Sequence, residues 1–190
     1  CATGGEAAQQ RAGHADPEDL RRHREDELRE ACLVLGVHSL ELLRHRDGTL
    51  NPDDPAGTAR VAAAIRRTRP DAIVTFGPDG VSGHSDHRAI HSWTRRAWET
   101  EGRPCPLWEV AITEAAAAAL PGRSFVGRPG PEIAARLDSR PWLDVKEAAI
   151  GCHRSQRYPV PLDSAEWRER VGREVVLRDL TRTLRSNSCV

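Results

Sequence analysis

Three histidines and two aspartates lie close together in the stretch FGPDGVSGHSDHRAIHSW, residues 76–93. A neutral imidazole can ligate zinc, and because the histidine pKa is about 6.5, the same ring can pass protons near neutral pH. The stretch contains His84, His87 and His91, and Asp86 stands between the first two. A carboxylate in that place could orient one ring or hold its proton. The residue types and spacing therefore indicate a metal site or an acid/base site.

A structural interpretation of the same residues is simpler. Ser85 or Asp86 could cap a helix, and His91 could be a surface residue one helical turn further on. A short motif is a hypothesis until its structural context supports it, so the flanking elements matter.

The flanking segments predict an α/β domain. Residues 71–76 form an apolar run of strand length, which suits a parallel strand buried on both faces better than a half-exposed one. Residues 85–98 have helical periodicity, and residues 107–113 predict another strand. Before them, helices are predicted from Asp16-Pro17 to Gly36 and from Pro55 to Pro70. This alternation favours a Rossmann-like fold with a mainly parallel sheet, in which ligands bind beyond the carboxyl ends of the strands.

The other segments are less regular. Residues 39–43 have the length of a strand, and helices are expected around 145–154 and 165–184. The second of these helices rests on Trp167, Val171 and Val175, which are spaced four apart.

Composition excludes several classes of protein. The 190 residues suit one domain, and 28 basic against 28 acidic residues leave no net charge to attract nucleic acid or an anionic membrane. Five scattered cysteines form no C-x-x-C pair, so a reducing, cytoplasmic setting is predicted. No uncharged apolar run approaches the ~18 residues of a membrane span.

The segment Gly77–Ala89, G-P-D-G-x-x-G-H-x-D-H-x-A, resembles the signature of the LmbE/PIG-L-like zinc-dependent N-deacetylases. These enzymes remove acetyl groups from N-acetylglucosamine-containing small molecules and conjugates. Four more segments match in order, so that the resemblance spans residues 1–157 of a single expected domain, 1–190. They are Thr3-Gly4-Gly5-Glu6, Arg24-x-x-Glu27-Leu28 with Leu35-Gly36-Val37, Asp47-Gly48, and Lys146-x-x-Ala149-x-x-x-His153-x-Ser155-Gln156.

The resemblance implies a role for each matching residue. His87 would be a ligand of the zinc, although another divalent metal such as iron stays open. His84 would be the catalytic acid, which protonates the leaving amine or stabilises the oxyanion, and Asp86 would tune it. The substrate, a small amino sugar, would be bound by Glu6, Arg24, Asp47, His153 and Gln156.

The family's H-P-D-D motif, which follows its first strand and supplies the other zinc ligands and the general base, has no counterpart in this chain. Residues 51–54 (NPDD) and 14–17 (HADP) look similar, but we interpret them as a helix cap and a loop. We therefore expect an N-terminally truncated, catalytically incomplete fragment whose first strand is missing, because a catalytic zinc needs three protein ligands. The alternative is a non-catalytic binding or scaffold relative that has lost half of the metal site. The exact substrate and the oligomeric state stay open.

Overall fold

Two helices begin with the same capping arrangement. The computed structural model describes residues 1–7, 16–118, 125–156 and 174–180. Helix α1 (Pro17–Val34) follows Asp16, whose carboxylate accepts from the Glu18 backbone N–H. Helix α2 (Pro55–Thr68) follows Asp54, whose carboxylate accepts from the Ala56 N–H. Each carboxylate satisfies a backbone donor that the helix leaves unpaired, so both predicted helix starts are confirmed.

The strands form one sheet that confirms the predicted α/β fold. In sheet order they are β1 (Ile73–Phe76), β2 (Leu107–Thr113), β5 (Glu174–Asp179) and β4 (Ala135–Asp138), and β3 (Gly127–Arg128) pairs beside β2. The β1–β2 and β2–β3 pairs are parallel, and the β2–β5 pair is antiparallel.

Four more α-helices lie in the described part of the chain, together with two short 3-10 helices, Gly130–Glu132 and Arg140–Trp142. A short turn of helix, α3 (Gly80–Gly83), leads into the long helix α4 (Ser85–Thr100). Helix α5 (Glu114–Ala118) follows β2, and α6 (Leu143–Gly151) occupies most of the predicted segment 145–154. None of the helices in the described ranges is long and apolar enough to cross a membrane.

The chain divides into two units. The first unit comprises Cys1–Thr49 and Asp138–Glu174, and the second comprises Leu50–Leu137 and Val175–Val190. In the first unit, α1 packs against α6, and Thr3 pairs with His45 in a single parallel bridge. In the second unit, the buried core consists of Ala62, Ile65, Ala97, Trp98, Leu107 and Leu180.

The structure corrects three expectations about local structure. The segment 39–43 forms no strand beyond the neighbouring bridge at His45. Residues 174–179, expected to be helical, form strand β5, while most of the remaining predicted helix 165–184 lies outside the described residues. Strand β1 is not buried on both faces, since Val74 is 59% exposed. Its sheet partner is β2, and β1 stands at one end of the strand order.

Candidate functional site

The histidine motif begins where β1 ends, in the second unit. Gly80 has a φ of +68°, and a Cβ atom there would lie 3.0 Å from the Cβ of His87. Glycine adopts this backbone conformation without a steric penalty and leaves room for the imidazole. The glycine-rich turn therefore allows α4 to begin with His87 packed closely against it.

The His87 ring is held on two sides. Its Nδ1 lies 3.0 Å from the carbonyl oxygen of Gly80, and the ring stacks on Phe76 with centroids 4.0 Å apart and planes 3° from parallel. A carbonyl oxygen can only accept, so Nδ1 carries a proton and, in the neutral ring, Nε2 keeps its lone pair. Histidines that ligate metals have this arrangement, in which a backbone acceptor fixes the tautomer.

His84 has the opposite hydrogen-bond pattern. Its Nδ1 accepts from the backbone N–H of Asp86 at 3.2 Å, and it also caps helix α4. A backbone N–H can only donate, so in the neutral ring the proton is on Nε2. The rings of His84 and His87 lie 4.8 Å apart between centroids. The motif thus brings together one ring with a free lone pair and one ring with an N–H to donate.

Asp86 is almost fully buried beside these rings. Its Oδ1 accepts from the backbone N–H of Leu50 at 3.1 Å. The contact found between Asp86 and His84 uses the backbone of Asp86, so a tuning effect of its carboxylate on His84 stays a prediction.

His91, for which a surface position was one interpretation, is buried. Its Nδ1 lies 3.0 Å from the carbonyl oxygen of Phe76 and 3.4 Å from Oε1 of Glu109. Arg178 donates to the other oxygen of Glu109 at 3.0 Å. Burial raises the pKa of the Glu109 carboxyl group, because desolvation outweighs the attraction of His91 and Arg178. Sequence reasoning missed Glu109, although a charged residue inside the apolar strand LWEVAIT was a signal.

In the first unit, the structure brings Glu6 and Asp47 together. Oε1 of Glu6 accepts from the Asp47 backbone N–H at 2.8 Å. The Asp47 carboxylate accepts from Thr3 Oγ1 at 3.0 Å and from the Ala7 N–H at 3.1 Å. Oε2 of Glu6 is shielded from solvent and has no hydrogen-bond partner among the described residues. This acceptor is available to a ligand donor, since buried polar atoms are normally paired.

Arg24 is buried in the same unit. Its guanidinium donates to the Gly5 carbonyl oxygen and, at 3.3 Å, to Ser155 Oγ. Ser155 in turn donates its N–H and its hydroxyl to Glu27, each at 2.7 Å. Arg24 therefore binds both the Gly5 backbone and Ser155, and Glu27 binds Ser155 as well.

The remaining two predicted substrate residues, His153 and Gln156, follow α6. Nδ1 of His153 is shielded from solvent and lacks a hydrogen-bond partner within the described part of the chain. Gln156 is exposed, and its backbone N–H donates to the His153 carbonyl at 3.0 Å.

That the chain binds zinc through His87 stays a prediction. Within residues 1–7, 16–118, 125–156 and 174–180, no three His, Cys, Asp or Glu side chains are grouped so that they could hold a metal ion. The free Nε2 of His87 fits a single ligand position, whereas a catalytic zinc site needs three protein ligands. The described residues thus fit part of a zinc site.

The look-alike at residues 51–54 is structural, as predicted. Asp54 caps α2, and Asn51 Oδ1 accepts from the Asp53 N–H at 3.0 Å. Asp53 forms an ion pair with Arg96 at 2.5 Å. These groups serve the start of α2 and its contact with α4.

Comparison with known proteins identifies the family. Residues 1–98, just over half of the chain, match the family described as PIG-L, GlcNAc-PI de-N-acetylase. The chain belongs to the PIG-L family. This match confirms the family that the histidine motif and the four other matching segments predict.

Curated relatives of this PIG-L-family chain are deacetylases by name. A 1D-myo-inositol 2-acetamido-2-deoxy-alpha-D-glucopyranoside deacetylase of Rhodococcus jostii is 33% identical over 132 residues, covering 56% of this chain and 45% of the relative. A probable N-acetyl-alpha-D-glucosaminyl L-malate deacetylase 2 of Bacillus cereus is 34% identical over 147 residues, covering 75% of this chain and 61% of the relative. The chain thus spans less than two thirds of the length of either relative.

Solved structures share the fold. The N,N'-diacetylchitobiose deacetylase of Pyrococcus horikoshii has a TM-score of 0.64 at 16% identity, covering 95% of this chain and 71% of that one. The 4-carboxy-2-hydroxymuconate hydratase of Pseudomonas putida KT2440 has a TM-score of 0.68 at 18% identity, covering 95% and 82%. Because these two enzymes catalyse different reactions, the fold alone does not select the chemistry.

Proposed function

We propose that the protein hydrolyses the N-acetyl group of an N-acetylglucosamine-containing small molecule or conjugate. The observation that carries this proposal is the pair of complementary imidazoles, with a lone pair on Nε2 of His87 and, in the neutral ring, an N–H on Nε2 of His84. Amide hydrolysis needs both an electrophilic group near the carbonyl and an acid for the amine. The names of the curated relatives support the same reaction class.

In this proposal His87 would be one ligand of a zinc ion, and the other ligands of the zinc and the general base would come from residues outside those described. When bound, zinc polarises a carbonyl and lowers the pKa of a coordinated water to about 7. The bond from His87 Nδ1 to the Gly80 carbonyl selects the neutral tautomer in which Nε2 has the lone pair, and so prepares Nε2 as a ligand. Iron is a second candidate for the same ligand type.

His84 acts on the amide that is cleaved. In the neutral ring, its Nε2–H can donate a hydrogen bond to the oxyanion of the tetrahedral intermediate. If the ring takes a second proton at Nδ1 and releases the Asp86 N–H, Nε2 can give its proton to the nitrogen as the C–N bond breaks. Water supplies the hydroxyl of the acetate, and the amino sugar leaves as a free amine. The backbone N–H of Asp86 orients the His84 ring by donating a hydrogen bond to its Nδ1.

The predicted substrate residues, Glu6, Arg24, Asp47, His153 and Gln156, contribute to binding the sugar. Oε2 of Glu6 accepts from a sugar hydroxyl, which supplies the partner that this buried oxygen lacks among the described residues. Asp47 sets the position of Glu6, and Arg24 holds the adjoining Gly5 backbone. His153 and Gln156 make further contacts to the substrate. The cysteine pattern favours a cytoplasmic setting for this reaction.

The test is an assay of the native-length protein with two substrates, an N-acetylglucosaminyl inositol and an N-acetylglucosaminyl malate. Acetate release and the appearance of a free amine are measured before chelation, after it, and after zinc is restored. We expect chelator-sensitive release of acetate from at least one substrate.

Failure to release acetate from either sugar, together with failure to bind zinc, would refute the proposal. The non-catalytic binding relative would then be the better interpretation. Tight binding of either sugar without turnover would support that interpretation directly.

A further inference from the structure

The turn that presents His87 contains a strained residue. Val81 has φ 65° and ψ −52°, in a region that a β-branched side chain rarely adopts. Such a conformation persists only when the surrounding structure holds it, and residues of this kind cluster at functional sites. Two residues of the same turn are already part of the site, because the Gly80 carbonyl accepts from His87 and Gly83 precedes His84.

Asp79 holds the turn from inside. Its Oδ1 accepts from the Val81 backbone N–H at 2.6 Å, and its own carbonyl accepts from the Gly83 N–H at 3.1 Å. These bonds span the strained residue on both sides. Asp79 therefore stabilises the turn through both its carboxylate and its backbone carbonyl.

Arg128 holds Asp79 from outside the motif. Its guanidinium donates to Oδ2 of Asp79, the oxygen that does not bond Val81. The two side chains are only 19% and 15% exposed, so water screens this ion pair less than a surface pair. Arg128 belongs to β3, where it pairs in register with Thr113 of β2.

A second contact limits the freedom of the Arg128 side chain. Oε2 of Glu132 lies 3.9 Å from its guanidinium and 3.3 Å from that of Arg178. Arg178 also bonds Glu109 in the neighbouring strand. The Arg128 backbone is therefore held in the sheet and its side chain lies beside Glu132, so the guanidinium reaches Asp79 from a fixed position.

We propose that Arg128 is a positioning residue for the metal-ligating histidine. By pairing with Asp79, it keeps the Gly80 carbonyl aimed at Nδ1 of His87 and so keeps the lone pair on Nε2. Arg128 lies 41 positions beyond His87, outside the histidine motif. The inference rests on the proposed function, because that function makes His87 a ligand of a catalytic metal. The tautomer of His87 can nevertheless be measured in the metal-free protein, whatever reaction the protein catalyses.

The experiment compares Arg128→Met, Arg128→Lys and Asp79→Asn in the native-length protein labelled with ¹⁵N-histidine. Asp79→Asn tests the same ion pair while an oxygen acceptor for Val81 remains. The matched control is Arg66→Met, which removes an ion pair with Glu101 in the same unit. Long-range ¹H–¹⁵N spectra of the metal-free protein report which ring nitrogen of His87 is protonated, and thermal unfolding confirms that each variant is folded.

We expect wild-type His87 to have its proton on Nδ1 alone and Arg128→Met to mix the two tautomers. Zinc affinity should fall about 10-fold or more in Arg128→Met, and Arg128→Lys should restore part of it. Arg66→Met should match wild type. If Arg128→Met does not fold, a mixed tautomer in folded Asp79→Asn carries the same support.

A single Nδ1–H tautomer and wild-type zinc affinity in a folded Arg128→Met or Asp79→Asn would overturn the inference. If such variants kept deacetylase activity, the proposed function would stand without it. Conversely, the variants could show mixed His87 tautomers while the wild-type protein releases no acetate. That outcome would support the positioning role of Arg128 and refute the proposed reaction.

Discussion

At the scale of single residues, backbone groups decide what each histidine of the motif can do. His84 and His87 are three positions apart, yet Nδ1 of the first faces a backbone donor and Nδ1 of the second faces a backbone acceptor. Because each backbone group has only one hydrogen-bonding role, the two rings must adopt opposite tautomers when both are neutral. In the proposed reaction, this difference suits His87 to metal binding and His84 to hydrogen-bond donation.

The two histidines should therefore fail in different ways. His87→Ala should lose stoichiometric zinc, whereas His84→Ala should keep the metal and lose about 100-fold to 10,000-fold in kcat. Metal content by elemental analysis and steady-state kinetics provide the measurements. His38→Ala, which removes an exposed histidine, is the control. Equal loss of zinc in both variants would contradict the division of roles.

Glu6 allows a second test at this scale. In Glu6→Gln, one oxygen can still accept from the Asp47 N–H, while an amide donor replaces Oε2, which has no hydrogen-bond partner among the described residues. A lost hydrogen bond to a charged group is worth about 1.5–3 kcal/mol, so KM should rise about 10-fold to 100-fold with little change in Tm. An unchanged KM for the amino sugar would exclude Glu6 from substrate binding.

At the scale of elements, α2 and α4 pack through a glycine. A Cβ on Gly57 would lie 2.5 Å from ring atoms of Trp93, which is fully buried and donates its indole N–H to the Asn51 carbonyl at 2.8 Å. Helix α4 carries His87 on its first turn, so this contact helps to set the position of the motif. The absence of a side chain is what lets the helices approach here.

Gly57→Ala should consequently destabilise the protein. Overpacking of a well-filled core typically costs about 1–3 kcal/mol, because rings or backbone must shift. The free energy of unfolding in urea measures the effect. Gly130→Ala is the control, since a Cβ there meets nothing within 4 Å, and it should change stability by less than about 0.5 kcal/mol. Similar values for both variants would contradict this account of the helix contact.

Element prediction succeeded where local signals were strong and failed where distant contacts decide. The capped helix starts at Pro17 and Pro55 and the strand over 107–113 were readable because their caps, prolines and apolar runs are local. Residues 174–179 had helical spacing at Val175 but became strand β5. There Val176 and Leu177 are buried against β2, and Arg178 pairs with Glu109. That sheet contact overrides a weak local preference.

At the scale of the whole molecule, a buried carboxyl group links folding to pH. Burial raises the pKa of Glu109 above its ordinary value of 4.5. The folded protein then binds this proton more tightly than the unfolded chain does. The contribution of Glu109 to stability becomes more favourable as the pH falls through the raised pKa towards 4.5, and it is constant below that.

Glu109→Gln tests this sign by removing the titration. The free energy of unfolding of wild type minus that of the variant should rise as the pH is lowered from neutrality to about 4.5. Urea unfolding at a series of pH values measures this difference. A difference that stays flat or falls would contradict the raised pKa of Glu109.

Glu30→Gln is a control of opposite sign, because a hydrogen bond from Arg154 lowers the pKa of Glu30. Its stabilising contribution is present above the ordinary pKa of 4.5 and is lost as the pH falls through the lowered value. The free energy of unfolding of wild type minus that of Glu30→Gln should therefore fall as the pH is lowered. Opposite trends for Glu109 and Glu30 distinguish the effect of burial from a loss of stability in acid that is common to all variants.

The amino-acid sequence by itself determined the α/β class, most helix bounds, the family and the histidine motif, because caps, periodicity and motif spacing are properties of neighbouring residues. Only the tertiary structure decided which nitrogen of each histidine is free, and that His91 is buried on Glu109. It also decided that Arg128 reaches Asp79 across 49 positions. The last two features depend on contacts between separate segments, whose partners no local pattern specifies. The first depends on the backbone geometry of the motif, which aims the Asp86 N–H at His84 and the Gly80 carbonyl at His87 and which residue types alone do not specify.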